Sequence, residues 1–163
     1  MKAARFWTFI GSLSFLVVFY AVASQQTVSP SEATVLAGSV PATSTAGTIW
    51  MHNLVIALLE LVPVAGFMLA GFSAWSTGLT TASIAANGGM PSIVLLGDLM
   101  LTPFFWLEFS GYALSLTASV WLLKSLLNKT WQSELPKFAI TVAAVVVVLG
   151  VSALVEMAYI LHQ

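Results

Sequence analysis

Residues 138–161 read FAITVAAVVVVLGVSALVEMAYIL, 24 positions with one charge, Glu156. A helix needs about 20 mostly apolar residues to cross roughly 30 Å of hydrocarbon. This stretch supplies them, with Val145-Val146-Val147-Val148 at its core, and it fixes the reading of the rest as a membrane chain. Immediately before it, Lys124 to Lys137 is a polar connector holding three lysines and Glu134. Phe104 to Leu123 is again long and apolar enough to span. From Thr48 to Leu123 the only charges are Glu60, Asp98 and Glu108, and Thr48 to Phe72 is the clearest span within that run. The stretch 75–101 is weaker, rich in Ser, Thr, Ala and Gly. Asn87-Gly88-Gly89 before Pro91 is a break signal, so 75–101 reads as one span with a broken or re-entrant middle, or as two half-helices. Such backbone survives at membrane depth only where protein or water surrounds it.

At the other end, Phe6 to Ala23 forms a first span preceded by Lys2 and Arg5. A basic start, an apolar centre and Ala21-Val22-Ala23 before Ser24 also fit a cleavable signal peptide; the expectation here is a retained helix. Residues 24–45, with Glu32 as their one charge, read as an outer loop.

Composition agrees with this layout. The chain of 163 residues is 59% hydrophobic and 7% charged, against roughly 25% charged in a soluble domain, and its mean hydropathy is +0.98. The 11 charges cannot dress a soluble surface, and a net charge of −1 gives no footprint for nucleic acid. The absence of cysteine excludes disulfides, iron–sulfur ligation and thiol nucleophiles. The fold expected is all-α, a single polytopic transmembrane helical bundle over 1–163 with about five spans. Basic residues favour the cytoplasmic side. Five spans place Lys2 and Arg5 on the same side as the connector 124–137, whereas four would separate them. The expectation is therefore an integral cell-membrane protein with its N-terminus in the cytoplasm and its C-terminus outside.

Glu60, Asp98 and Glu108 are the residues that could carry chemistry. A charge at the bilayer centre costs about 2.5–3.5 kcal/mol on insertion scales. No Lys or Arg lies between residues 6 and 123. Each carboxyl must be protonated, hydrogen-bonded or faced by water. Two readings follow: a proton or cation relay, or neutral acids that fasten helices. His52-Asn53 precedes Glu60 by eight residues, which puts His52 on the same helix face roughly 12 Å away. The pair also suits a helix cap that satisfies unpaired N–H groups. No metal-ligand spacing, phosphate-binding glycine loop or catalytic triad set occurs. No cofactor, metal site or catalysis by this chain alone is expected. Small residues recur every four positions at Ala70, Ala74, Gly78, Ala82 and Ala86, and again at Gly111, Ser115 and Ser119. Such stripes let helix backbones approach closely, either within the bundle or against other membrane proteins or a second copy.

The order of elements over residues 48–123 resembles the integral-membrane family of stage II sporulation protein M. His52-Asn53 stands where that family has an Asn pair opening a span. Gly66, Gly71 and Ser76-Thr77-Gly78 stand for its Gly-rich helix. Pro103 to Glu108 stands for its Pro-His-Gly-x-x-Glu signature, with small residues Ser110, Gly111, Ala113 and Ser115 after it. Phe104 and Phe105 replace the motif's His and Gly. The resemblance implies a bundle of about five spans acting as a non-catalytic scaffold or accessory component of a membrane assembly. Two alternatives stand beside it: a small transporter or channel coupled to protons or cations through Glu60 and Glu108, and an accessory subunit of a redox enzyme.

Overall fold

The computed structural model describes residues 2–38 and 45–162. The described residues are all-helical. Seven helices follow in order: α1 Lys2–Ser24, α2 Pro30–Gly38, α3 Ala46–Glu60, α4 Ala65–Asn87, α5 Ser92–Met100, α6 Pro103–Leu127 and α7 Trp131–Leu161. Two helices, α1 over Ala3–Ser24 and α7, are long and apolar enough to cross a membrane; α5 and α6, bent by 81° at their junction, make a third if taken as one span. Only 22% of the most apolar window of α1 or of α7 is buried within the chain. Large side chains such as Met68, Phe72, Ile140 and Leu154 point outward. An apolar surface of this extent requires an apolar solvent, which identifies a membrane protein.

The packing register gives the helix directions. Gly71 lies against Phe15, and Gly78 against Tyr20 and Ala23, so α4 runs parallel to α1. Tyr20 packs its ring on Phe105 and Phe109, while Trp121 donates to the Thr8 hydroxyl at 3.2 Å. Helix α6 is therefore antiparallel to α1. Phe104 meets Tyr159 and Gly111 meets Leu149, which sets α7 antiparallel to α6. Trp50 ties α3 to α7 through the Val146 carbonyl at 3.2 Å. The core joins Leu16 and Tyr20 of α1, Ala57 of α3, Ala70 and Ala74 of α4, Phe105 to Leu116 of α6, and Val145 and Leu149 of α7.

Several boundaries differ from those expected. The stretch 48–72 is not one helix: α3 stops at Glu60, and a four-residue turn leads into α4. Pro63 lacks an N–H and its ring would clash with a helical carbonyl four residues back. Val64 takes φ +69°. Gly66 then lets the chain fold onto itself, since a Cβ there would lie 1.9 Å from the Glu60 carbonyl oxygen. In consequence Trp75–Ala86 belongs to a continuous α4, and the break expected within 75–101 falls at residues 88–91, where Gly89 has φ +65°. The polar connector is also shorter than read. Helix α6 runs on to Leu127 and α7 begins at Trp131.

The outer loop, whose residues 39–44 lie outside the described ones, contains helix α2. Its start is a capping box: Ser29 Oγ accepts from the Glu32 N–H, and the Glu32 carboxylate accepts from the Ser29 N–H at 2.9 Å and its hydroxyl at 2.6 Å. Those two bonds hold the Glu32 carboxyl below the usual carboxylate range. Asn87 of α4 anchors α2 by donating to the Ala33 carbonyl at 3.1 Å.

One end of the bundle collects basic residues. Arg5 and Lys137 both bridge to Glu134, the latter at 3.4 Å. Arg5 and Lys124 each lie 4.7 Å from the Trp121 ring centroid. The N-terminal and connector clusters therefore share a face.

Candidate functional site

Helix α3 delivers Glu60 to the bundle centre because the helix ends there. Its side chain is fully buried, and neither carboxyl oxygen has a hydrogen-bond partner among the described residues. Glu108 arrives from α6, whose start at Pro103 suits a ring with fixed φ and no N–H in the first helical turn. The Tyr112 hydroxyl, one turn on, donates to Glu108 at 3.0 Å. Glu60, Glu108 and Tyr112 line one cavity with Ser73 and Thr77 of α4, closed by Leu16 and Phe109. Its volume is about 10 Å³, room for about one water molecule. Glu156 of α7 is half-buried. Glu156 lies one turn beyond the buried Ser152, which donates to the Phe104 carbonyl at 3.0 Å.

Of the residues singled out from sequence, the structure brings Glu60 and Glu108 into one cavity, with Ala70 and Ala74 of the small-residue stripe in its wall, and leaves Asp98, His52 and Asn53 outside it. Asp98 is exposed on α5. His52 is exposed and lines a separate groove of about 300 Å³ between α3 and α4. Asn53 is buried inside α3. Neither His52 nor Asn53 caps the helix, contrary to the cap reading. Thr45 does so instead, seven residues earlier, in a reciprocal box with Thr48. The small-residue stripes are used within the chain. Ala70, Ala74, Gly78 and Ala82 are buried on α4, with Gly78 set against the α1 backbone; Ala86 alone of that row is exposed. Gly111 receives Leu149, and Ser119 donates to the Val62 carbonyl at 3.1 Å, pinning the α3–α4 turn. Ser115, between them, is buried with its hydroxyl unpartnered among the described residues.

Tyr112, Ser73 and Thr77 were not singled out from sequence. Their signal is spacing: Tyr112 follows Glu108 by four, and Ser73 and Thr77 are four apart, so each pair shares a helix face. Searches against family models, curated proteins and solved structures returned no match to this chain.

Proposed function

We propose that the chain is a multi-pass membrane protein that binds and passes protons through the carboxyl pair Glu60 and Glu108. The observation that carries this reading is Glu60 itself. A fully buried carboxyl with no hydrogen-bond partner and no cation beside it is costly as an ion. It is tolerated as a neutral acid, and a neutral acid beside a second carboxyl can exchange its proton. Two carboxyls in one small cavity share a proton more readily than they hold two charges. A cavity of about 10 Å³ suits a proton carried on one water, which favours protons over hydrated cations as the species handled.

In this reading α1, α3, α4, α6 and α7 are five crossings, and α2 and α5 lie along the outer surface. The alternating helix directions support that count, as does the meeting of Arg5 with Lys124 and Lys137 at one end. The excess of basic residues at this end supports a cytoplasmic side for it. The scaffold reading that follows from the resemblance to sporulation protein M ranks second. It expected partners to dock on the small-residue stripes, and those stripes are largely buried inside the chain.

The test is reconstitution into vesicles loaded with a pH-sensitive dye. Under an imposed pH gradient the protein is expected to speed proton equilibration. Glu60→Gln and Glu108→Gln should each abolish that gain while accumulating normally, because the amide keeps the side-chain shape. Wild-type vesicles no faster than protein-free ones would defeat the proposal.

A further inference from the structure

The cavity around Glu60 and Glu108 and the larger groove beside it share a wall, Ser73 and Thr77 of α4. Only one layer of side chains separates them. Ser73, Ser76, Thr77 and Thr80 recur at i, i+3, i+4 and i+7, so hydroxyls run along one face of α4. The first three line the groove, with His52 of α3 opposite, while the exposed Leu59, Leu69 and Phe72 give it an apolar, lipid-facing side. The groove's volume is about 300 Å³ against about 10 Å³ for the cavity, so it has room for several waters. The α3–α4 turn sits at the level of Ser119, two residues from Trp121 and the basic end. His52 lies eight residues, roughly 12 Å, back along α3 from Glu60, and so toward the opposite end.

We infer that the groove between α3 and α4 is a water-filled access path, opening away from the basic end, through which the Glu60–Glu108 pair exchanges its proton with the outer solution. The inference rests on the proton-handling reading. Its own observation is the shared wall, where Ser73 and Thr77 line both groove and cavity. Ser73 and Thr77 are the gate between groove and cavity.

The chain has no cysteine, so single replacements need no prior clearing of thiols. Ser76→Cys and Thr77→Cys on the groove wall, and Met68→Cys on the exposed apolar face of α4, are treated in right-side-out vesicles with a small charged, membrane-impermeant thiol reagent. Water ionises a thiol that lipid keeps neutral, and only the thiolate reacts. The groove cysteines are expected to react at least about tenfold faster than Met68→Cys, the equivalent of one unit of thiol pKa. The same reagent confined to the basic side should leave them unmodified. Equal slow reaction at all three sites overturns the inference. If Glu60→Gln still abolishes proton flux in that case, the carboxyl pair stands and its path lies elsewhere. Fast groove labelling with flux unaffected by Glu60→Gln overturns the proton reading and this inference with it.

Discussion

Glycine-to-alanine replacement at three helix positions separates close packing from helix propensity. At Gly78 an added Cβ would lie 2.5 Å from the Tyr20 carbonyl oxygen, 2.6 Å from Ala23 Cβ and 3.0 Å from the Ser24 N–H nitrogen. Two of those three atoms are backbone, so no rotamer change relieves the contact. Helices α1 and α4 would have to part by roughly 1–1.5 Å to reach ordinary carbon contact distances of about 3.5–4 Å. Overpacking of this kind costs about 1–3 kcal/mol, while alanine in a helix interior gains about 0.5–1 kcal/mol over glycine. The clash wins, and the net loss is about 1–2 kcal/mol. At Gly111 the added atom meets only the Leu149 side chain, Cδ2 at 2.6 Å and Cγ at 2.9 Å; this buried leucine must shift, but no backbone atom stands in the way, so the loss is smaller than at Gly78. At Gly97 nothing lies within 4 Å, and propensity alone acts. The expected order of thermal stability in detergent is Gly97→Ala at or above wild type, then Gly111→Ala, then Gly78→Ala, the last lowered by about 2–8 °C. A Gly78→Ala protein as stable as Gly97→Ala would refute the close α1–α4 approach on which the position of α4 depends.

Three further outcomes follow from contacts elsewhere. Arg5→Ala removes a guanidinium from both Glu134 and the Trp121 face and should lower unfolding stability by about 1–2 kcal/mol. Arg5→Lys should restore part of that loss, since an ammonium cannot reproduce the planar fork. Ser119→Ala strips a hydroxyl from the Val62 carbonyl; a loss of about 0.5–1.5 kcal/mol is expected, with faster amide exchange at the α3–α4 turn. The Glu32 carboxyl is held below its usual range by Ser29. Its contribution is thus fully present above the ordinary carboxylate pKa and lost as pH falls through the lower folded value. Amide exchange in the first turn of α2 should accelerate on acidification in the native chain and lose that dependence in Glu32→Gln.

The long apolar segments were legible because their signal is one of composition. Helices α1, α6 and α7 lie close to where the sequence put them, and Asn87-Gly88-Gly89 does end α4. The turn at residues 61–64 was missed because the apolar run continues through it. Its cause is Pro63 together with a glycine at 66, which hydropathy weights no differently from their neighbours. Helix α2 announces itself as Ser29-Pro30-Ser31-Glu32, a capping pattern hidden inside a polar, Pro-rich loop. Glu60 and Glu108 could be picked out as carboxyls without cations, but their meeting depends on that same turn, a tertiary fact no spacing encodes. Tyr112 and the hydroxyls of α4 were readable one helix at a time, and only the packing of three helices makes them one site.

The outward apolar surface of α1 and α7 bears on biogenesis. These two helices can partition into lipid unaided, whereas α3 and α4, with their buried carboxyl and hydroxyls, gain favourable surroundings only from neighbours. Helix α1 is made before α4 and offers it a ready groove, so the hairpin of α3 and α4 can be received as it is made. Helix α7 is made after these helices, and only then does Glu134 meet Arg5 while Val146 and Ser152 engage Trp50 and the start of α6. The interior remains unsealed until α7 is in place. A chain truncated before Trp131 would expose its polar centre to lipid, the kind of surface by which membrane quality control recognises an unfinished product.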